Sequence, residues 1–252
     1  MKFKHAMLTD IGNYRKLNQD YAGFSENGNG YAFGIVCDGM GGHAHGEVAS
    51  KIAVEKFITL FDSQDFNGMS NKDINRWLRN SVNEILNEMV EYSNDHFETK
   101  DMGTTLTAIL FTKVGAFVVN IGDSRTYKLV GEDLHQITQD QNLWNSTPEA
   151  ERNDMKISGL YSEVNEVTFW KVLTSALGPQ KTLRIDTYYI EEMKGIYILT
   201  TDGIHDYMDN DLTISTLGNK KIKLKDKAFY IIEDAKENVS TDNLTILIIE
   251  VE

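Results

Sequence analysis

Cysteine and proline are nearly absent from this sequence. Cys37 is the only cysteine among 252 residues, so no disulfide can form within the chain, and a reducing compartment fits this composition. Proline occurs only twice, and no Pro/Gly-rich stretch divides the chain. The sequence therefore predicts a single domain over residues 1–252.

Long apolar runs and an excess of positive charge are also missing. No window approaches the roughly 20 apolar residues of a membrane-spanning helix. Residues 1–5 are not followed by the apolar run of a signal peptide. The formal net charge of −13 argues against nucleic acid or an anionic membrane as a partner, because both attract basic surfaces. We therefore expect a cytoplasmic protein that binds neither.

Hydrophobic periodicity divides the chain into strands and helices. Apolar residues recur at helical spacing in residues 48–61 and 74–89, and two further helices are predicted at 209–217 and 225–236. Helices segregated from antiparallel strands favour an α+β sandwich over a doubly wound sheet. Runs rich in β-branched and aromatic residues predict strands at 3–9, 21–25, 31–37, 104–112, 114–121, 126–130, 183–190, 195–200 and 244–251.

Residues 141–170 differ from the rest of the chain. They are polar and without clear periodicity, and they contain Pro148 and Gly159. A long irregular stretch inside a compact chain is typical of a functional flap or an insertion. We therefore expect a flap-like insertion here.

Aspartates stand where apolar strand-like runs end. Asp38 and Asp202 each precede a glycine, Asp123 follows Gly122, and Asp242 precedes the last predicted strand. Carboxylates gathered at one point repel each other unless a cation lies between them. An all-oxygen ligand set suits Mg²⁺ or Mn²⁺ better than Zn²⁺. A single Asp-Gly pair is also common in plain turns, but two at the ends of two apolar strands favour a metal enzyme.

Two further residues belong to this pattern. Asp206 lies four residues beyond Asp202, so one helical turn would present both carboxylates on the same side. Arg15 lies in the segment Arg15-Lys16-Leu17-Asn18-Gln19-Asp20, and its planar guanidinium suits two phosphate oxygens. A surface salt bridge is the alternative for Arg15.

The order and spacing of these motifs resemble the protein phosphatase 2C family, in its compact bacterial type, over nearly the whole chain. The resemblance implies a metal-dependent serine/threonine phosphatase whose fold is a four-layer α-β-β-α sandwich with two central antiparallel sheets. The matching motifs are Arg15-x-x-Asn18-Gln19-Asp20, Asp38-Gly39-Met40-Gly41-Gly42-His43, Gly103-Thr104-Thr105, Gly122-Asp123-Ser124-Arg125, Ser175-Ala176-Leu177-Gly178, Thr201-Asp202-Gly203 and Asp242-Asn243.

The same resemblance implies a role for each motif residue. Arg15 would grip the substrate phosphate, and a hydroxide bridging two Mg²⁺ or Mn²⁺ ions would attack phosphorus. Asp123 and Asp206 match positions that help to hold a third, weaker ion. The two core ions would be bound by Asp38, which touches both, by Asp202 and Asp242 on one, and by Asp20 with the Gly39 carbonyl on the other.

At some positions this chain departs from the family pattern, so the family's roles cannot be assigned to those residues. Met40 stands where some relatives have a histidine proposed as general acid, so that role is not transferred. Residues 145–170 resemble the family only weakly.

The resemblance implies phosphorylated proteins as partners, including a serine/threonine kinase and its substrates, and we expect a monomer. A catalytically silent regulatory relative and a phosphohydrolase for small metabolites are the alternatives.

Overall fold

The elements of the fold follow the predicted order of strands, helices and strands again. A computed structural model describes residues 1–40, 45–157 and 166–252. The end of the Asp38 motif, Gly41-Gly42-His43, lies outside the described residues, as does the middle of the predicted flap. No helix among the described residues is long and apolar enough to cross a membrane.

Both classes of element are well represented in the described part of the chain. The strands are β1 Phe3–Asp10, β2 Asp20–Glu26, β3 Ala32–Met40, β4 Gly103–Thr104, β5 Leu106–Thr112, β6 Gly115–Ile121, β7 Arg125–Val130, β8 Asp133–Gln136, β9 Asp186–Ile190, β10 Gly195–Thr200 and β11 Leu244–Val251. The α-helices are α1 Gly46–Ser63, α2 Asn71–Asp95, α3 Leu143–Ser146, α4 Glu149–Ile157, α5 Glu166–Trp170, α6 Asp202–His205, α7 Asn210–Gly218 and α8 Leu224–Glu237.

Two antiparallel sheets form the centre of the molecule. The first sheet has the strand order β1-β11-β10-β7-β8, and the second has the order β2-β3-β5-β6-β9, with β4 paired to β3. The sheets pack face to face, and Phe111 of β5 meets Tyr197 of β10 edge-on with ring centroids 5.2 Å apart. Burial of one such large side chain contributes about 1.5–3 kcal/mol. The interface between the sheets is therefore a main source of stability.

Helices cover the outer face of each sheet. Phe57 of α1 and Leu78 of α2 are buried in one core cluster with Phe33 of the second sheet. On the opposite side, Ile231 of α8 is buried with Ile198 of the first sheet. The predicted four-layer α-β-β-α sandwich is thereby confirmed. A capping box, in which Ser70 accepts from the Asp73 backbone, fixes the start of α2.

The structure departs from the predicted elements mainly in the middle of the chain. Strand β8 was not predicted, because Asp133–Gln136 is an exposed edge strand with little apolar alternation. Short helices α3, α4 and α5 lie in the segment predicted to be irregular. Asn142 starts α3 by accepting from the Asn145 backbone, a local cap that hydrophobic periodicity does not reveal.

Candidate metal centre

Strand pairing brings the first two aspartates together. Asp20 is the first residue of β2, and its partner in the register with β3 is Asp38. Side chains directly opposite on antiparallel strands have their Cβ atoms about 4.5–5.5 Å apart. The hydrogen bonds of Asp38 to Thr105 extend this arrangement: its N–H donates to the Thr105 hydroxyl at 2.9 Å, and its carbonyl accepts from the Thr105 N–H at 2.9 Å.

The first sheet contributes the other two core aspartates. Asp202 begins α6 directly after β10, and Asp242 lies two residues before β11, the strand beside β10. Thr201 connects the two sheets at this point. Its N–H donates to the Thr245 carbonyl at 3.1 Å, and its hydroxyl donates to Asp20 Oδ2 at 2.9 Å.

A cavity of about 290 Å³ opens over this junction. Asp20 is buried beside it, with 5% of its surface exposed. The residues that line the cavity are Arg15, Gln19, Asp38, Gly39, Met40, Thr105, Asp123, Lys171, Leu173, Asp202, Asp242 and Asn243. Five of the predicted site residues other than the glycine therefore face one space.

The carboxylates of the centre are held in an environment that disfavours their charge. Burial, followed by the neighbouring aspartates, raises the pKa of Asp38 well above its usual range. Burial is also the largest cause for the three others, and it raises the pKa of Asp20 to about 7, of Asp123 to about 8 and of Asp202 to about 6. Like charges add to each of these shifts. A bound cation would favour the ionised carboxylates and so lower these pKa values.

Two buried carboxylate oxygens indicate whether a cation fits this site. Asp20 Oδ1 and Asp202 Oδ1 are both buried without a hydrogen-bond partner. An unpartnered buried carboxylate oxygen is costly, and coordination to a hard cation satisfies it. The donor set is all oxygen, which fits Mg²⁺ or Mn²⁺. No group of three or more acidic, His or Cys side chains stands in a ready-made ligand arrangement among the described residues.

Two basic side chains pair with carboxylates of the cluster. Arg15 Nη2 donates to Asp242 Oδ2 at 2.5 Å, and its Nε donates to the Thr241 carbonyl at 3.2 Å. Lys171 Nζ donates to Asp206 Oδ2, also at 2.5 Å. One carboxylate oxygen of Asp242 and one of Asp206 are therefore already paired with a basic side chain.

The end of β3 packs closely against the start of α1 at Gly39 and Gly46. A Cβ on Gly39 would lie 2.2 Å from the Gly46 carbonyl oxygen, and a Cβ on Gly46 would lie 2.5 Å from the Gly39 carbonyl carbon. The Gly39 N–H donates to the Gln19 carbonyl at 3.0 Å. These two positions therefore admit only glycine without a backbone shift.

Asn243 follows Asp242 and holds a neighbouring loop in place, a role that the sequence motif did not predict. Its Oδ1 accepts from the Gln19 N–H at 2.9 Å, while its Nδ2 donates to the carbonyls of Ile11 at 2.9 Å and Leu17 at 3.0 Å. The buried amide thereby fixes the loop that carries Arg15. Its position next to Asp242 is the only sequence signal for this role.

The outer aspartates lie on separate elements. Asp123 follows β6, and the Thr105 and Ser124 hydroxyls are hydrogen-bonded beside it at 2.6 Å. Asp206 closes the single turn of α6, and its N–H donates to the Asp202 carbonyl at 3.1 Å, as the spacing predicted. Lys171 was missed, because it follows the irregular segment and carries no local motif.

Comparison with known proteins agrees with this architecture. The Protein phosphatase 2C family model matches residues 14–229. The serine/threonine phosphatase stp of Listeria monocytogenes is 29% identical over 245 residues, covering 96% of this chain and 93% of the relative. Protein phosphatase PhpP of Streptococcus pneumoniae is 26% identical over 245 residues, covering 97% and 96%.

Solved structures give the same result. Stp1 of Staphylococcus aureus superposes with a TM-score of 0.84 at 26% identity, covering 100% of this chain and 96% of that one. The catalytic domain of the phosphatase PstP in complex with two manganese ions superposes with a TM-score of 0.72 at 26% identity, covering 98% and 97%. The chain belongs to the protein phosphatase 2C family, and its activity is that of a metal-dependent serine/threonine phosphatase.

Proposed function

We propose that the carboxylate cluster is the catalytic centre and that it loads two core Mg²⁺ or Mn²⁺ ions. Asp38 would contact both ions, Asp202 and Asp242 one of them, and Asp20 with the Gly39 carbonyl the other. The observation that carries this proposal is the pair of buried, unpartnered oxygens on Asp20 and Asp202. Both lie beside Asp38, whose raised pKa marks the position where a cation is most needed.

The core ions, when bound, would activate a water and neutralise charge on the phosphoryl group. Arg15 would position the substrate, because its side chain lies at the cavity, is half exposed and presents a planar fork to phosphate oxygens. Its present contact with Asp242 places the guanidinium beside the carboxylates. Met40 lines the same cavity and offers no acidic proton, and a water in the cavity would serve as the proton donor to the leaving alkoxide.

Asp123 and Asp206 would help to hold a third, weaker ion. Their mutual charge supports this role, since Asp206 is among the groups that raise the pKa of Asp123. Lys171 opposes it, because its ammonium is already paired with Asp206. Arg15 pairs in the same way with the core residue Asp242, so the weaker binding of the outer ion is what the family resemblance implies.

The whole chain of 252 residues would form one phosphatase domain acting as a monomer in the cytoplasm. Its substrates would be phosphoserine and phosphothreonine proteins, including a serine/threonine kinase and the targets of that kinase. The net charge of −13 supports the exclusion of nucleic acid.

A comparison of substrates tests the proposed function. The chelated protein is titrated with Mg²⁺ or Mn²⁺, and hydrolysis of a phosphothreonine peptide and of a sugar phosphate is measured. We expect metal-dependent turnover of the peptide and little of the sugar phosphate. Full turnover after exhaustive chelation, or a preference for the sugar phosphate, would reject the proposal.

A further inference from the structure

A second and larger cavity of about 740 Å³ lies next to the metal centre. Two tryptophans form its aromatic wall. The rings of Trp144 and Trp170 meet edge-on with centroids 5.5 Å apart, and Trp144 is 46% exposed. We call this cavity the tryptophan pocket, and its lining residues are Arg125, Gln136, Thr138, Gln139, Asp140, Asn142, Trp144, Asn145, Trp170 and Lys171.

Each charged group that lines the tryptophan pocket has an ionic partner: Arg125 pairs with Asp140 inside the pocket, and Lys171 pairs with Asp206 outside it. Arg125 donates to both Asp140 oxygens, with distances of 2.9 Å from Nε and 2.7 Å from Nη2. Gln136 Nε2 donates to Asp140 Oδ1 at 3.0 Å, and Asn145 Nδ2 donates to the Asp140 carbonyl at 2.9 Å. A paired, hydrogen-bonded carboxylate does not call for an ionic ligand. Arg152 lies over the Trp144 ring, with its guanidinium carbon 4.2 Å from the ring centroid. The part of the ring that is still exposed is the apolar surface that a ligand would gain most by covering.

Only a thin wall separates the tryptophan pocket from the metal centre. Residues 141–143 pair with residues 172–174 as a short antiparallel ladder, with Leu143 N–H donating to the Val172 carbonyl at 2.9 Å. Asn142 and Leu173 are bridge partners in this ladder. Asn142 lines the tryptophan pocket, while Leu173 lines the metal cavity, and Lys171 lines both. A chain lying over Lys171 would therefore pass from one space into the other.

We propose that the tryptophan pocket receives an apolar or aromatic side chain of the phosphoprotein substrate. The proposal rests on the phosphatase function, because it requires a phosphorylated residue at the metal centre. An extended chain advances about 3.3–3.6 Å per residue. Since Lys171 lines both cavities, the bound side chain belongs to a residue only a few positions from the phosphorylated one. The pocket thus selects substrates by sequence next to the phosphate.

The test begins with the wild-type protein loaded with Mn²⁺. Phosphothreonine peptides that differ only in having Phe, Ala or Glu at one flanking position are compared, and each position up to about four residues on either side is scanned. We expect Phe to raise kcat/KM about tenfold over Ala at one position and Glu to give no gain. A spread below twofold at every position would overturn the proposal.

Two variants change the pocket in opposite ways. Trp144→Ala removes the exposed ring, and Gln139→Trp adds bulk at an exposed residue of the lining. We expect both to abolish the preference for Phe while turnover of p-nitrophenyl phosphate changes less than twofold. Phe229→Ala is the matched control, because Phe229 is 50% exposed and lies on α8 outside both cavities.

The outcomes separate this proposal from the phosphatase function. If the variants hydrolyse p-nitrophenyl phosphate normally but keep the Phe preference, the tryptophan pocket is not the subsite. If Phe229→Ala removes the preference as Trp144→Ala does, the effect is not local and the proposal fails. If wild-type protein hydrolyses neither peptide nor aryl phosphate with metal, the proposed function itself fails.

Discussion

Asp38 is the residue at which burial and like charge combine most strongly. Burial is the largest cause of its raised pKa, and four neighbouring aspartates raise the pKa further: Asp20, Asp202, Asp123 and Asp242. A carboxylate in this position costs stability when it is ionised and has no cation beside it. A carboxylate at this position is therefore better explained by a proposed cation site than by a contribution to stability.

Replacing Asp38 by Asn is expected to abolish turnover while the fold is kept. Loss of a single outer-shell partner of a metal typically costs about 10–100-fold in affinity or activity, so loss of a ligand to both ions should cost more than about 100-fold. Calorimetry with Mn²⁺ should show weakened binding of both core ions. Near-normal activity of Asp38→Asn would show that Asp38 is not the shared ligand.

Arg15 is expected to serve phosphate and not metal. Hydrogen bonds to charged groups contribute about 1.5–3 kcal/mol, so Arg15→Ala should lower kcat/KM for a phosphopeptide about 10–100-fold. Because Arg15 holds Asp242 in the structure, its removal frees a proposed ligand, and metal affinity should stay equal or rise slightly. Arg76→Ala, an exposed arginine on α2, is the control. A collapse of Mn²⁺ binding in Arg15→Ala would contradict this role.

Asp206 is expected to matter more for poor leaving groups. If the outer ion helps a water to protonate the leaving alkoxide, Asp206→Ala should lose about tenfold more activity on a phosphoserine peptide than on an aryl phosphate. Asp133→Ala, in exposed strand β8, should lose none. Equal losses of Asp206→Ala on both substrates would exclude leaving-group assistance.

At the scale of residues, the sequence was enough to predict the aspartates of the site. It did not predict the side chains that contact the site residues or hold their loops in place. Asp38 and Asp202 carry a local signal, an apolar run ending in Asp-Gly. Lys171 and Asn243 act on residues far away in the chain, on Asp206 and on the loop of Arg15. Single-sequence patterns do not reveal such long-range hydrogen bonds.

At the scale of elements, strands with two buried faces were the easiest to predict. Strands β5 and β6 are fully buried and read as continuous apolar runs. Periodicity also gave α2, whose buried residues recur every three or four positions. The short helices α3 and α5 could not be predicted, because four or five residues form barely more than one helical turn. Helix α4 is as long as the predicted α7, but Glu149–Ile157 is mostly polar and shows no apolar period.

Helix α6 is expected to tolerate no side chain at Gly203. A Cβ there would lie 1.9 Å from the Asn243 carbonyl oxygen, which is backbone and cannot move without shifting Asp242. Gly203→Ala should therefore lower both the melting temperature and the affinity for Mn²⁺. Gly218→Ala is the matched control, because a Cβ there meets no atom within 4 Å. Equal melting temperatures of the two variants would refute the close approach.

At the scale of the whole molecule, the site joins the two sheets. Asp20 and Asp38 come from the second sheet, while Asp202 and Asp242 flank strands of the first. Thr201 connects them through its hydrogen bond to Asp20 Oδ2. The sequence predicted two sheets and an acidic cluster, but the packing that unites them depends on tertiary contacts. Metal binding is therefore expected to stabilise the whole sandwich.

The stability of the metal-free protein should fall as the pH rises from 6.5 to 8.5. The folded pKa of Asp20 is about 7 and that of Asp123 about 8, above the unfolded value of about 3.9. The folded state therefore holds more protons than the unfolded state in this window, so the free energy of unfolding decreases with pH. His205, whose pKa is lowered by burial, acts in the opposite sense only below about 6.5, where the unfolded imidazole gains a proton.

Thermal unfolding of chelated protein at several pH values measures this effect, and a fall of a few degrees is expected between pH 6.5 and 8.5. Saturating Mn²⁺ binds the ionised carboxylates, so its stabilisation should grow with pH and cancel or reverse the slope. Asp123→Asn removes one titrating group and should flatten the metal-free slope, whereas Asp133→Asn, on the exposed edge strand, should leave it unchanged. A metal-free melting temperature that stays constant or rises over this range would show that the clustered aspartates are already ionised without a cation, and the electrostatic argument for the metal centre would fail.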